Sequence, residues 1–190
     1  MSKYITLSQL LKTVKIHLIT TATIFLLAMF IFAGMITTKI GGIIFSCIAT
    51  LVYFLSIYTF SLETANRDKK SYTKETPYKF KGLLLPLGIF VITIFLYALY
   101  SLTWKYMTFD NSLYSFQGYF NNIVFIIWTF PFNAFLDLNN GILSWYGYLI
   151  IAIVPFIASF LGYYAGYIGY DISMTINKFI YDSNEKENHK

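Results

Sequence analysis

Residues 82–103 read GLLLPLGIFVITIFLYALYSLT and carry no charged side chain. A helix rises about 1.5 Å per residue, so roughly 20 apolar residues cross the ~30 Å hydrocarbon core of a bilayer. Within that core every backbone N–H and C=O group needs a partner in the same segment, which favours a helix. The stretch therefore predicts a transmembrane helix.

Three further runs of 19 to 22 residues also lack charged side chains: Leu18–Ile36, Ile43–Leu62 and Tyr146–Tyr167. The first of them is longer than the roughly 7–15 apolar residues of a cleaved signal peptide, so it is interpreted as a span. The sequence thus predicts an all-α, polytopic membrane protein with four transmembrane helices. We expect one transmembrane helical domain over residues 1–182 and a disordered tail over residues 183–190.

The composition of the whole chain agrees with this class. Of the 190 residues, 57% are hydrophobic and only 12% are charged, whereas soluble domains are about 45–50% apolar and about 25% charged. A disordered chain, a disulfide scaffold and an ordinary cytosolic enzyme are therefore excluded.

A fifth apolar run, Ile123–Leu136, is too short to span a bilayer comfortably and contains Pro131 and Asn133. We expect a re-entrant or interfacial segment, or one that packs against the bundle. If the run crossed the membrane instead, the protein would have five spans, and the C-terminus would change sides.

The distribution of cations favours four spans. Residues 106–177 contain no Lys or Arg, while the N-terminal stretch and the loop after the second span are rich in them. With four spans, twelve of the fourteen cations lie on one side, against nine with five spans. Because Lys and Arg concentrate in cytoplasmic loops, this predicts a multi-pass protein of the cytoplasmic membrane with both termini in the cytoplasm.

Two segments that flank the spans show helical spacing of apolar residues. Residues 7–18 and 172–180 each combine an apolar face with a polar or basic one, which is typical of amphipathic helices in the membrane surface. The alternative is that each segment simply continues the neighbouring span.

A row of small residues lies in the last span. Ala158, Gly162 and Gly166 are four residues apart, and Gly169 follows three residues later. Small residues at this spacing let two helix backbones approach closely in lipid. The row predicts helix packing, which would join two copies of the chain, dock a partner subunit or pack the helix in its own bundle.

The segment Glu63–Lys81 carries six cations and three acids. Cations near a membrane surface attract anionic headgroups by about 1 kcal/mol each. The predicted lipid- or partner-contact residues are Arg67, Lys69, Lys70, Lys79 and Lys81. The alternative is that these cations only enforce the topology.

The sequence shows no motif that is typical of a catalytic or metal-binding site. The single Cys47 lies within a span, His17 stands at the start of the first span, and the cores of the spans contain no carboxylate or base. No HExxH, GxSxG or phosphate-binding glycine loop is present. We therefore expect no catalytic, metal-binding or cofactor-binding residue, no cofactor and no nucleic-acid partner.

Two stretches resemble a known group of proteins. The ending Gly162-Tyr-Tyr-Ala-Gly-Tyr-Ile-Gly-Tyr-Asp-Ile-Ser, with Lys178-Phe-Ile-Tyr after it, is similar to that of small uncharacterised integral membrane proteins of Gram-positive bacteria. The loop Glu63-Thr-Ala-Asn-Arg-Asp-Lys-Lys, leading to Tyr78-Lys-Phe-Lys-Gly-Leu, resembles the loop before their third helix. Asp171 departs from the pattern, where a basic or neutral residue is expected. The resemblance implies a bacterial membrane protein and assigns no activity.

Together these features predict a non-enzymatic membrane protein that acts through helix–helix or partner contacts, as an accessory, assembly or regulatory subunit. The expected partners are anionic headgroups of the bilayer, further copies of the chain or a membrane partner subunit. The alternative is a small transporter or channel module that works as an oligomer, with Ile123–Leu136 lining an entry from outside.

Overall fold

The computed structural model describes residues 6–30, 39–70, 76–107, 123–135 and 145–169. The described part of the chain is all-helical and includes four stretches that are long and apolar enough to cross a membrane, which confirms the predicted fold class. The elements are α1 (Leu7–Phe30), α2 (Lys39–Asp68), α3 (Lys81–Leu84), α4 (Leu87–Met107), α5 (residues 123–128) with a 3₁₀ helix (Phe130–Phe135) after it, and α6 (Trp145–Ile168).

Helix α1 begins at Leu7, so residues 7–18 continue the first span as one helix. Its inward face is the polar one, because Gln9, Thr13 and His17 are buried while Leu7 and Leu11 are exposed. This orientation follows from the lipid solvent: an apolar side chain is tolerated there, whereas a polar group needs a partner inside the protein.

Helix α2 ends at Asp68, six residues beyond the predicted end of the second span. Residues 63–68, which the sequence placed in a charged loop, contain neither Gly nor Pro, and they bury Ala65 and Asp68. Part of the predicted loop therefore belongs to the bundle.

The stretch 82–103 is divided by Pro86. Helix α3 ends at Leu84 and α4 begins at Leu87, since a proline has no N–H group to continue the helical hydrogen bonds. Pro155 lies inside α6, and that helix continues past it to Ile168.

The row of small residues in α6 faces α2 of the same chain. A Cβ atom at Gly162 would overlap the carbonyl of Tyr58, and one at Gly166 would lie 2.7 Å from the Leu62 carbonyl oxygen. Ala158 in the same row is fully buried. Gly169 ends the helix with φ +81°, a conformation that favours glycine. In the structure the row thus packs the last span within its own bundle.

Residues 123–135, which we name the inserted segment, fill the space between the long helices. Phe125 stacks on Tyr100 of α4 at 4.9 Å between ring centroids, and Trp128 lies 4.1 Å from the His17 ring. Phe125 and Phe132 are fully buried. Of the arrangements expected for this run, the described residues adopt the one packed into the bundle.

Helix α1 begins, and α2 and α6 end, at the same end of the bundle, because Gln9, Asp68 and Tyr163 meet there. We name it the Asp68 end. The segment 172–180 and the predicted tail at 183–190 lie outside the described residues.

Candidate functional site

Four buried side chains meet at the Asp68 end, and we name them the Asp68 cluster: Gln9, Asp68, Lys81 and Tyr163. The Lys81 Nζ atom donates to Asp68 Oδ2 at 2.7 Å, and the Tyr163 hydroxyl donates to the same oxygen at 2.8 Å. The Gln9 Nε2 atom donates to Asp68 Oδ1 at 3.1 Å. The side chains of Asp68 and Lys81 are 0% exposed. One carboxylate therefore joins α1, α2, α3 and α6.

Close backbone contact brings Lys81 to this position. A Cβ atom at Gly82 would lie 2.7 Å from the Phe160 Cα atom and 2.7 Å from the Ser159 carbonyl oxygen. Only glycine lets α3 approach the α6 backbone so closely, and the preceding lysine then reaches Asp68. Lys81 was predicted to be a lipid- or partner-contact residue, but its burial removes it from the surface, which corrects that assignment.

The charges of this cluster balance within the protein. A buried ion pair is stable only when further hydrogen bonds compensate for lost hydration, and Gln9 and Tyr163 supply them to the carboxylate. The Gln9 Oε1 atom is buried and has no hydrogen-bond partner among the described residues. The arrangement can hold four elements together, and its carboxylate is occupied by three donors.

A second group of buried polar side chains lies deeper in the bundle, and we name it the His17 cluster: His17, Tyr53, Thr93 and Trp128. The His17 Nδ1 atom and the Tyr53 hydroxyl are 2.8 Å apart. The Trp128 Nε1 atom donates to Thr93 Oγ1 at 2.8 Å, and that hydroxyl donates to the Ile89 carbonyl oxygen at 2.8 Å.

These two clusters contain buried ionisable side chains that the predicted spans did not include. The cores of the predicted spans have no carboxylate or base, yet Asp68 is buried at the end of α2 and His17 lies well inside α1, 1% exposed. The reason is that α1 begins several residues before its apolar run and α2 ends several residues after its own. Each helix therefore includes polar residues that the predicted span left out.

The other predicted contact residues lie on the surface of the Asp68 end. Arg67, Lys69, Lys70 and Lys79 are exposed, and the Lys79 Nζ atom lies 4.8 Å from the Phe80 ring centroid. Four of the five predicted contact residues therefore lie exposed at one end of the molecule, and the fifth, Lys81, is buried at the same end.

Sequence reasoning missed Gln9, Asp68, Tyr163 and Tyr53 as members of buried clusters. One signal was available for α1: Gln9, Thr13, His17 and Thr21 recur every four residues, which is the spacing of one helix face. No comparable signal links Asp68 with Lys81, because the two residues are 13 positions apart and belong to different helices.

The fold defines a helical protein with four membrane-spanning stretches, and two clusters of polar side chains are buried between its helices. No family model, no curated protein and no solved structure matches the chain. Within the described ranges, no three His, Cys, Asp or Glu side chains come together in a way that could hold a metal ion.

Proposed function

We propose that this protein is a non-enzymatic subunit of the cytoplasmic membrane, with both termini in the cytoplasm, that acts through contacts with a partner membrane protein. The distribution of Lys and Arg supports this orientation. The meeting of the start of α1 with the end of α6 agrees with it, since an even number of spans returns the chain to the side where it began.

The observation that carries the proposal is the way the buried polar groups are used. Three donors occupy the Asp68 carboxylate, and a tyrosine hydroxyl bonds His17. The inserted segment fills the space between the helices with Phe125 and Phe132. Among the described residues, only Gln9 Oε1 and His17 Nε2 are buried side-chain atoms without a hydrogen-bond partner. Most of the described interior thus supports packing, and the exposed cations of the Asp68 end offer a surface for a partner or for anionic headgroups.

Cysteine labelling tests the orientation. In a Cys47→Ala background, Asn140→Cys should react with a membrane-impermeant reagent added outside the cell, and Ser183→Cys should not. Labelling of Ser183→Cys would contradict the cytoplasmic C-terminus and favour five spans.

Crosslinking in native membranes, followed by identification of the products, tests the partner contact. Arg67→Glu combined with Lys69→Glu should abolish one defined crosslinked product, because it reverses the charge of the proposed contact surface. Lys12→Glu with Lys15→Glu makes the same charge change at exposed positions of α1 and should leave that product unchanged. Recovery of the monomer alone would contradict the proposal.

A second candidate is a transporter or channel module that works as an oligomer. The observation in its favour is the buried row Gln9, Thr13, His17 and Thr21, which leads from the Asp68 cluster into the bundle. Polar and ionisable side chains inside a membrane are costly and mark transport pathways by default. Proteoliposome flux of ions and amino acids should then fall in the Pro131→Ala/Asn133→Ala variant and in His17→Phe, but not in Thr23→Val. Absence of flux from the native protein would contradict this candidate.

A further inference from the structure

We infer that His17 binds a proton when the inserted segment leaves its place between the helices, so that acid releases this segment from the bundle. The contact that opens is the one between the His17 and Trp128 rings. This inference goes beyond the proposed function, because it needs neither a partner protein nor transport.

The His17 ring lies between α2 and the inserted segment. Its Nδ1 atom is 2.8 Å from the Tyr53 hydroxyl of α2, and the two rings meet edge to face at 5.4 Å between centroids. The Trp128 ring of the inserted segment is 4.1 Å from the His17 ring. His17 is only 1% exposed, so the packed segment helps to keep water from it.

The packed arrangement suits a neutral imidazole. A neutral ring carries one N–H group, whereas an imidazolium carries two, one on each nitrogen. Nδ1 has Tyr53 as its partner, but Nε2 has no hydrogen-bond partner among the described residues. The second N–H group of an imidazolium would therefore lack an acceptor there, and burying a charge without its hydrogen bonds is costly. A cation–π contact with the Trp128 ring offsets only part of that cost.

The elements that pack around His17 bring no opposite charge to it among the described residues. The ionisable side chain that faces the ring is Tyr53, a phenol with an ordinary pKa of about 10. Residues 123–135 contain no ionisable side chain. On α4, Tyr100 stacks on the inserted segment at 4.9 Å. The nearest described ion pair belongs to the Asp68 cluster, and Gln9, the member of that cluster on α1, lies about 12 Å from His17 along the helix.

No charged group takes part in the other polar contacts printed between the inserted segment and the helices. The Trp128 Nε1 atom donates to Thr93 Oγ1 at 2.8 Å, and the Thr50 hydroxyl donates to the Pro131 carbonyl oxygen at 3.0 Å. His17 is thus the group at this interface that titrates near neutral pH, since a solvated histidine has a pKa of about 6.5.

The direction of the pH effect follows from proton linkage. When the segment is released, water reaches the His17 ring, and a proton from the aqueous phase binds the nitrogen that carries none. The released form then holds one more proton than the packed form, so a falling pH favours release. Release would uncover the inner end of the buried polar row of α1, which includes Thr13 and His17.

Hydrogen exchange of the inserted segment tests the inference. The Thr129 amide donates to the Phe125 carbonyl oxygen at 2.9 Å, and the Phe132 amide donates to the Thr129 carbonyl oxygen at 2.8 Å. So short a helix is marginal by itself, so both amides should exchange when the segment is released. The purified full-length protein in detergent micelles is measured at about pH 7.5 and about pH 5.5, with each rate divided by that of an unstructured peptide at the same pH.

We expect the protection of these two amides to fall about tenfold at the lower pH, the ratio that a histidine with a pKa of about 6.5 imposes when only the released form takes up the proton. Amides of α6 around Tyr163 report opening of the whole bundle and should keep their protection. Unchanged protection in the inserted segment, or an equal loss in α6, would overturn the inference.

Two variants that lack a titrating group at this position identify the residue responsible. His17→Phe keeps a ring against Trp128, and His17→Gln keeps a hydrogen-bonding group for Tyr53. In both variants the protection should be the same at the two pH values. His189→Gln is the matched control, because it removes the other histidine of the chain, and it should retain the tenfold change. A tenfold change that persists in either His17 variant would overturn the assignment to His17.

The experiment uses the purified chain without a partner or a substrate. A missing crosslinked product, or an absence of flux, would therefore leave these protection factors as they are. Failure of the proposed function and failure of this inference can thus be told apart.

Discussion

The Asp68 cluster and the His17 cluster both bury polar side chains inside the bundle, but they compensate for the lost hydration with different interactions. The Asp68 cluster lies at one end of the bundle and contains an ion pair, 2.7 Å from Nζ to Oδ2. The His17 cluster lies deeper and consists of two hydrogen-bonded pairs, His17–Tyr53 and Trp128–Thr93, each at 2.8 Å. The His17 and Trp128 rings, 4.1 Å apart between centroids, bring the two pairs into contact. Burying a charged group costs the most free energy at the centre of a bilayer and the least near its surfaces. Accordingly the ion pair lies at the end of the bundle, and the hydrogen-bonded His17 cluster lies deeper.

The two clusters also join different helices. The carboxylate of Asp68 connects α1, α2, α3 and α6, whereas the His17 cluster connects α1, α2, α4 and the inserted segment. Helix α1 takes part in both through Gln9 and His17, which lie on one face. The comparison predicts that loss of one partner is far more damaging at the Asp68 cluster.

Lys81→Met should give the largest effect, because it leaves the Asp68 carboxylate buried without its cation. The free energy of unfolding in mixed detergent micelles should fall by about 3–5 kcal/mol. The double variant Asp68→Leu/Lys81→Met should lose less than Lys81→Met, since it removes both charges. Lys79→Met, at an exposed position, is the control. An equal loss of unfolding free energy in Lys79→Met and Lys81→Met would contradict the stabilising role of the buried ion pair.

Gly82→Ala should have an intermediate effect, because its Cβ atom would push α3 away from the α6 backbone and separate Lys81 from Asp68. We expect a loss of about 1–3 kcal/mol in the same measurement. Gly88→Ala is the matched control, as its nearest neighbour is Cγ2 of the Val14 side chain, 2.9 Å away, which can move. A smaller loss at Gly82 than at Gly88 would contradict the role of the close approach.

Tyr53→Phe should have the smallest effect, because it removes one hydrogen bond, between the Tyr53 hydroxyl and His17, and leaves the ring in place. Hydrogen bonds inside membrane proteins contribute about 0.6 kcal/mol on average and about 1.7 kcal/mol at most. Tyr58→Phe, on the same helix but partly exposed, supplies the baseline. If Tyr53→Phe lowered the free energy of unfolding as much as Lys81→Met does, the two clusters would be equally sensitive to the loss of one partner, contrary to the prediction.

Much of the fold could be predicted because the lipid solvent acts on each segment separately. Any run of about 20 apolar residues must satisfy its own backbone, which makes it a helix wherever its neighbours lie. The inserted segment could be recognised as too short to span, since length alone excludes a comfortable crossing. The spacing of the small residues in α6 predicted close helix packing, but it did not identify α2 as the helix that they contact.

What the sequence alone determined is therefore the helical class and the four apolar spans. Tertiary structure decided that residues 63–68 extend α2, that Gly162 meets Tyr58 and that Lys81 turns inward to Asp68. These features depend on groups far apart in the chain, because a buried charge is tolerated only where another element supplies its partner. Helix formation in lipid is local, whereas the pairing of charges is not.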